Sequence, residues 1–240
     1  NEIKLNHKKN EKIRIGYFSP DFREHAVSHL ILDVLKNHDR SKFEIYGFNH
    51  GPRKDKLTNK VKNYFYKFYD VFEKSDEEIA YLSRDNKIDI AIDLCGYTKY
   101  SIPETFIKRA APIQINYLGY PGTTGNENFD YIIADKHVIP QGEFKNFSER
   151  VLHLPNCYQA NQSKIKVSNK DLSRKFFKLP NDYFVFGCLN SNYKINPIIF
   201  ESWMKILNQC KNSVLWLLKE NNQGAINILK EASKRGVNKE

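Results

Sequence analysis

Strand-like and helix-like patterns of apolar residues alternate along this chain. Apolar residues at every second position, or in short continuous runs, predict β-strands, and apolar residues three or four positions apart predict amphipathic helices. The run at 87–94 is nearly all apolar, which is typical of a strand in a parallel sheet that is covered on both faces. The predicted strands are 12–18, 43–48, 64–68, 87–94, 113–118, 129–135, 183–188 and 213–218, and the predicted helices are 29–36 (capped by Ser28), 55–62, 75–85, 104–109, 223–235 and one that begins at Pro197.

This alternation predicts an α/β fold with two domains. Strands that alternate with helices form right-handed β-α-β units and build a doubly wound parallel sheet. We expect the first domain to span residues 12–158. Residues 159–180 are polar and basic with little periodicity, which indicates a linker. Residues 181–240 predict the start of a second α/β domain, too short to complete a sheet. The chain has no initiator Met, so we expect a piece of a longer protein.

The segment that follows the 113–118 strand has an unusual composition. It contains three glycines, one proline and two threonines: Gly119, Gly122, Gly125, Pro121, Thr123 and Thr124. Glycine is used where the backbone takes positive φ or where another group comes close to it. Threonine hydroxyls and free N–H groups in such a loop can form an anion-binding concavity. Taken alone, such a cluster is more often a tight turn between two strands. In an open α/β sheet, however, a loop at the carboxyl end of a strand is where ligands bind.

Composition and charge exclude several classes of protein. Hydrophobic residues make up 40% of the chain, enough for a packed core, and no apolar run has the length of a membrane span. The four cysteines form no C-x-x-C pair and lie in or beside apolar stretches, so we expect reduced core residues and a cytoplasmic protein. The net charge of +10 comes from residues 1–14, 159–180 and 219–240. A solvated basic surface therefore fits better than a nucleic-acid site.

Several predicted strands end in loops with polar side chains. Ser19, Asp21 and His25 follow the first strand, and Asp93 ends the 87–94 strand. Because the carboxyl ends of parallel strands meet at one edge, these side chains and the glycine-rich loop should lie along the same edge. Lys194 follows a strand of the second unit, and we expect it to face that edge across a cleft.

These residues resemble the O-linked N-acetylglucosamine transferase family, including its SPINDLY-type members. The resemblance covers about residues 12–220, and its strength lies in nine blocks in the same order. The blocks are Arg14-Ile15-Gly16-Tyr17 with Ser19-Pro20-Asp21-Phe22, Ala26-Val27-Ser28-His29 behind His25, Gly96-Tyr97-Thr98, Ala111-Pro112-Ile113-Gln114, Leu118-Gly119-Tyr120-Pro121-Gly122-Thr123-Thr124-Gly125, Asp130-Tyr131-Ile132-Ile133-Ala134-Asp135, Ser148-Glu149-Arg150, Tyr193-Lys194-Ile195 with Pro197, and Val214-Leu215-Trp216-Leu217-Leu218.

The resemblance implies a glycosyltransferase of the GT-B type, with two Rossmann-like domains of which the second is incomplete here. It implies an inverting, metal-independent transfer of a sugar, N-acetylglucosamine first among the candidates, to Ser or Thr hydroxyls of proteins. The expected co-substrate is UDP-N-acetylglucosamine, with no cofactor. The expected partners are a protein acceptor and a helical-repeat region preceding the catalytic part. The family's later donor-binding segment is absent from these residues, so we expect them to be inactive on their own.

The resemblance also assigns roles to individual residues. Lys194 matches the lysine that contacts the donor diphosphate, where a fixed ammonium stabilises the departing charge. His25 matches a histidine beside the sugar and acceptor, which acts either as the base or as an orienting group; a histidine that only caps the next helix is the alternative. The expected sugar contacts are Gly119, Pro121, Gly122 and Thr123, and the further donor contacts are Asn190 and Tyr193.

Two acidic residues and one other function remain open. Asp89 and Asp93 lie four positions apart on one strand, and Asp93, at the strand's end, is the better candidate for a polar role. The alternative function is a non-catalytic α/β module that binds a nucleotide sugar or a protein. A basic nucleic-acid module is disfavoured, because the residues outside the three basic segments are neutral overall.

Overall fold

The computed structural model describes residues 10–162, 168–170 and 172–238. The chain divides into two compact units, residues 1–166 and 167–240. Part of the predicted linker, residues 163–167 and 171, lies outside the described residues. The predicted domain boundaries at 158 and 181 stay predictions, although the ring of Phe177 packs 5.0 Å from that of Trp216 and ties the end of the predicted linker to the second unit.

The first unit is built on one parallel sheet of seven strands. In chain order the strands are β1 (Ile13–Ser19), β2 (Phe43–Asn49), β3 (Lys67–Asp70), β4 (Ile90–Asp93), β5 (Ile113–Tyr117), β6 (Tyr131–Ala134) and β7 (Arg150–His153), and the helices between them are α1 (Ala26–Asn37), α2 (Lys56–Lys62), α3 (Asp76–Asp85) and α4 (Pro103–Ile107). Their order across the sheet is β3-β2-β1-β4-β5-β6-β7. The order reverses between β1 and β4, and ligands bind at such a switch point, beyond the carboxyl ends of the strands.

Side chains cover both faces of this sheet, as the apolar pattern of 87–94 predicted. On β1, Ile15 and Tyr17 pack into one core with α1 and α2, while Phe18 packs into a second core on the opposite face. The second core contains Ile79 of α3 and Phe106 of α4. This double burial fixes the backbone of the central strands and therefore the positions of the loops that follow them.

Three elements differ from the sequence prediction, and one of them, β7, is a strand that the predicted set lacks. Helix α1 begins at Ala26, and its N-cap is His25 rather than Ser28. His25 has extended backbone and its Nδ1 accepts from the N–H of Val27, whereas Ser28 is buried and donates to the carbonyl of Asp21. The predicted strand 64–68 begins only at Lys67, because the N–H groups of Tyr64 and Phe65 continue the last turn of α2.

The second unit has two parallel strands and two α-helices among its described residues. Strands β8 (Phe184–Cys188) and β9 (Ser213–Leu217) pair in register, and α5 (Pro197–Gln209) and α6 (Asn222–Ser233) follow them. Helix α5 begins at Pro197, as predicted, and Asn196 caps it by accepting from the N–H of Ile199. Its buried residues Phe200 and Met204 pack against α6.

The cysteines are free thiols, but only one of them is a core residue. Cys95 is buried, and burial raises the pKa of its thiol to about 12. Cys188 is half-buried, while Cys157 and Cys210 are exposed, so the prediction of four core cysteines is wrong. Cys157 follows β7 in a loop and Cys210 ends α5, where the chain turns to the surface. No helix in the described part of the chain is both long and apolar enough to cross a bilayer.

Candidate functional site

The candidate site lies at the carboxyl edge of the seven-stranded sheet, the edge at which all seven strands end. Steric fit holds the loops together here. A Cβ on Gly51, after β2, would lie 1.9 Å from the carbonyl oxygen of Pro20, after β1. A Cβ on Gly119, after β5, would lie 2.0 Å from that of Leu94, after β4. Only glycine allows these close approaches, so neighbouring loops pack backbone against backbone.

His25 occupies a well-defined position in the loop after β1. Its Nδ1 lies 3.3 Å from the N of Val27 and 3.5 Å from Oδ2 of Asp21, and its side chain is 38% exposed. The other oxygen of Asp21 accepts from Arg23 at 2.7 Å. Ser28 donates to the carbonyl of Asp21 at 2.6 Å, and this bond ties the loop that contains His25 to the first turn of α1. The helix-capping alternative therefore describes a real contact, and the same nitrogen also faces a carboxylate.

Asp93 is the buried acid of this edge. Its oxygens accept from the N–H groups of Cys95 at 2.8 Å and Gly96 at 3.0 Å. Burial raises the pKa of Asp93 to about 6, against the opposing effect of these two amides. Asp89 lies instead before β4, at the other edge, where its Oδ2 accepts from the N–H of Arg14. The two carboxylates thus accept hydrogen bonds at opposite ends of β4.

Asp93→Asn is expected to alter how stability depends on pH. Because burial raises the carboxyl pKa from 3.8 to about 6 in the folded state, folded protein keeps a proton that the unfolded chain has already lost. This group therefore lowers the free energy of unfolding as pH rises from about 4 to about 6. Asparagine does not ionise, so the variant should gain stability relative to wild type across that window, and the gain should level off above it.

Urea unfolding followed by far-ultraviolet circular dichroism, from about pH 4 to about pH 7, measures this difference. A difference between Asp93→Asn and wild type that stays constant across the window would contradict the assignment.

The loop at residues 119–125 is closed by hydrogen bonds within the chain. The buried Asn116 donates from Nδ2 to the carbonyls of Tyr120 at 3.3 Å and Gly122 at 3.1 Å. Glu149 accepts from the Thr124 N–H at 2.7 Å, and Thr123 donates to its other oxygen at 2.7 Å. The loop's donors thus hold a carboxylate of the same chain.

The prediction of an anion-binding concavity made from free N–H groups is accordingly wrong for three positions. The N–H of Gly119 donates to the Tyr117 carbonyl, that of Thr124 to Glu149, and that of Gly125 to the Thr123 hydroxyl. The predicted sugar contacts at Gly119, Pro121, Gly122 and Thr123 stay predictions. Pro121 is exposed, and the other three are half-buried.

Glu149 contacts the 119–125 loop although it lies just before β7, and sequence reasoning gave it no role. It belongs to the block Ser148-Glu149-Arg150, which carried the resemblance without an assigned chemistry. Burial raises its pKa, but the hydrogen bonds from Thr124 and Thr123 outweigh burial, so the pKa lies below its ordinary value. Glu149 therefore stays ionised at neutral pH.

In the second unit, the predicted donor contacts lie together on the loop after β8. Lys194 ends a short 3₁₀ helix, Asn192–Lys194, and its Nζ lies 6.0 Å from the centre of the Tyr193 ring, which is 83% exposed. Asn190 is exposed beside Cys188, with its Nδ2 3.8 Å from the sulfur. The loop thus presents a cation, an aromatic ring and an amide. That Lys194 faces the first unit's site across a cleft stays a prediction.

Within residues 10–162, 168–170 and 172–238, no group of three or more His, Cys, Asp or Glu side chains is arranged to hold a metal ion. The expectation of a metal-independent reaction stays a prediction.

The sheet order and the loops at its carboxyl edge define an α/β protein of the Rossmann-like kind. The model of the family described as glycosyl transferase family 41 matches residues 2–169 and 159–240. The chain belongs to this family.

Relatives in plants support the same assignment. The probable UDP-N-acetylglucosamine–peptide N-acetylglucosaminyltransferase SEC of Arabidopsis thaliana is 36% identical over 95% of this chain and 24% of its own length. The similarly named SPINDLY of the same plant is 31% identical over 85% of the chain and 22% of its own length. The chain therefore spans about a quarter of the length of these relatives.

A solved structure confirms the predicted fold class. A mutant of the O-GlcNAc transferase of Thermobaculum terrenum superposes with a TM-score of 0.83 at 28% identity, over 95% of this chain and 43% of that one. The α/β fold of the GT-B type, with the second Rossmann-like domain incomplete in these residues, is thereby confirmed.

Proposed function

We propose that this chain carries part of the catalytic region of a protein O-glycosyltransferase. The enzyme would move N-acetylglucosamine from UDP-N-acetylglucosamine to Ser or Thr hydroxyls, with inversion and without a metal ion. The observation that carries the proposal is the family match across both units, together with the relatives named for this transfer. The loops at the switch point, His25 and Asp21 among them, supply the chemistry that such a transfer needs.

The proposed reaction is a single displacement. The acceptor hydroxyl oxygen attacks the anomeric carbon of the sugar from the face opposite the diphosphate, so the configuration inverts. The bond from that carbon to the phosphate oxygen breaks, and its electron pair leaves with the nucleotide diphosphate. The hydroxyl proton passes to a base, for which His25 is the candidate. The ammonium of Lys194 would stabilise the charge that grows on the diphosphate.

The contacts of His25 set a condition on this role. When Nδ1 accepts from the Val27 N–H, the proton of the neutral ring is on Nε2, and that nitrogen is then no base. Nε2 can accept a proton only in the other neutral tautomer, in which the proton is on Nδ1. In that tautomer the Nδ1–H group points its hydrogen bond at the carboxylate of Asp21, 3.5 Å away. Capping and base catalysis are therefore two alternative states of one ring, and Asp21 is the group that favours the second.

The wider setting of the enzyme belongs to the same proposal. A helical-repeat region would precede the catalytic part, which agrees with relatives about four times as long as the chain. The free thiols fit a cytoplasmic location. The alternative is a module that binds a nucleotide sugar or a protein without catalysis.

A donor screen on the full-length natural protein separates these functions. Calorimetry with UDP-N-acetylglucosamine, GDP-fucose and UDP-glucose tests binding, and mass spectrometry of Ser- and Thr-containing peptides tests transfer. Transfer of N-acetylglucosamine supports the proposal, and transfer of another sugar would replace the proposed donor. Tight binding of a nucleotide sugar with no transfer to any acceptor protein or peptide supports the non-catalytic module.

A further inference from the structure

Glu149 is a buried carboxylate that neutral donors alone surround. It is 3% exposed, and Thr124 donates to its Oε1 through both the backbone N–H, at 2.7 Å, and the hydroxyl, at 2.5 Å. The hydroxyls of Thr123, at 2.7 Å, and Ser148, at 3.1 Å, donate to Oε2. None of the ion pairs found among the described residues includes Glu149.

Burying the Glu149 carboxylate costs free energy, and so does removing the hydrogen bonds that it accepts. Removing an ionised group from water is strongly unfavourable unless hydrogen bonds replace the lost hydration. Here four donors replace it, and three of them belong to the two threonines of the 119–125 loop. The arrangement is therefore specific, because loss of any one donor leaves the buried negative charge with fewer hydrogen bonds.

The loop is held from the opposite side as well. Asn116, which is fully buried, donates to the carbonyls of Tyr120 and Gly122. Asn116 therefore holds the loop's carbonyls, whereas Glu149 holds its N–H and hydroxyl groups. In the same loop, Gly119 packs against the backbone of Leu94, just after β4, and Pro121 has a fixed φ. Groups of the chain itself therefore hold the loop from both directions.

We propose that Glu149 is a positioning residue for sugar transfer, acting through Thr123 and Thr124 on the backbone of the 119–125 loop. This inference rests on the proposed function, in which that loop lies against the transferred sugar. It also changes the role of Thr123: its hydroxyl holds the loop to Glu149 instead of binding the donor. Small errors in placing a substrate are costly, since a shift of about 1 Å reduces rate by roughly 10²-fold.

The first test compares Glu149→Gln with wild type in the full-length protein. The amide has roughly the shape of the carboxylate, but it offers Thr123 or Thr124 a donor where an acceptor stood. We expect kcat to fall roughly 10- to 100-fold. The Kd of UDP, which lacks the sugar, should stay within about twofold, while that of UDP-N-acetylglucosamine weakens several-fold. A general structural defect would weaken both ligands alike.

The second test is a double-mutant cycle with Thr123→Val. If Thr123 acts only through Glu149, the Glu149→Gln/Thr123→Val variant should lose no more activity than Glu149→Gln alone. Fully additive losses would mean that Thr123 contacts the donor directly, and would overturn the new role of Thr123. Glu127→Gln makes the same substitution at an exposed carboxylate just beyond the loop and should retain the full rate, so it serves as the matched control. If Glu149→Gln fails to fold, Thr124→Val removes one hydrogen bond to the carboxylate and takes its place.

The outcomes distinguish the two levels of the proposal. If wild-type protein transfers sugar and Glu149→Gln does so at the same rate, or if UDP and the nucleotide sugar lose affinity equally, the positioning role is overturned while the proposed function stands. A wild-type protein that transfers sugar from none of the donors would refute the proposed function and the positioning role with it.

Discussion

Replacing Lys194 by alanine in the full-length protein is expected to lower the rate of sugar transfer about 10²- to 10³-fold, the usual effect of removing one group that stabilises transition-state charge. Lys194 is exposed at the end of its 3₁₀ helix, so the substitution removes an ammonium without opening the core. The loss should be mainly in kcat, because the diphosphate gains charge as the bond to the sugar breaks. Initial rates with UDP-N-acetylglucosamine and an acceptor peptide measure it.

The control for this experiment is another lysine of the same unit. Lys211 is exposed and follows α5, before the first residue of β9, whereas Lys194 follows the last residue of β8. Lys211→Ala removes the same charge at the opposite end of the strands and should leave the rate unchanged. Equal rates for Lys194→Ala and wild type would contradict the proposed role, and equal losses in both variants would indicate a general effect of net charge.

His25→Asn is expected to lower kcat about 10²- to 10⁴-fold, the range for loss of a general base, with little change in donor affinity. Asparagine is among the best N-cap residues, so this variant keeps the start of α1 while losing the ability to take up a proton. It therefore separates the two interpretations of His25. Steady-state kinetics measures kcat, calorimetry measures the affinity for the donor, and thermal unfolding measures stability.

His29→Ala is the matched control, because His29 lies on the same helix and its Nε2 contacts Glu24 at 2.6 Å on the exposed surface. That variant should keep both rate and stability. If His25→Asn retains the full rate, then His25 is a capping residue alone. A loss confined to donor affinity would argue for a binding role without proton transfer.

Local patterns in the sequence were sufficient to predict most elements of the fold. The predicted helix 75–85 matches α3, whose start has a capping box between Ser75 and Glu78, and Pro197 predicted the start of α5; both signals depend on neighbours within a single turn. The start of α1 was harder, because Ser28 has the residue type of a cap and His25 does not. Its cap depends on the fold of the preceding turn, which Ser28 itself supports from a buried position.

The role of Glu149 lay beyond such local signals. Glu149 and Thr124 are 25 residues apart: Thr124 lies in the connection from β5 to β6, and Glu149 precedes β7, which is the neighbour of β6 in the sheet. The sequence likewise identified Asp93, rather than Asp89, as the candidate for a polar role. It did not predict that the partners of Asp93 would be two backbone amides of the following turn. Contacts of this kind follow from sheet order, which hydrophobic periodicity does not encode.

Glu149 immediately precedes β7, which pairs with β6 alone and forms one margin of the sheet. Peripheral strands open more readily than central ones, so the anchor of the glycine-rich turn belongs to one of the least protected parts of an otherwise tightly packed scaffold. Warming should therefore release this turn before the central strands separate. Enzymatic activity would then decline at temperatures where most of the secondary structure is still intact.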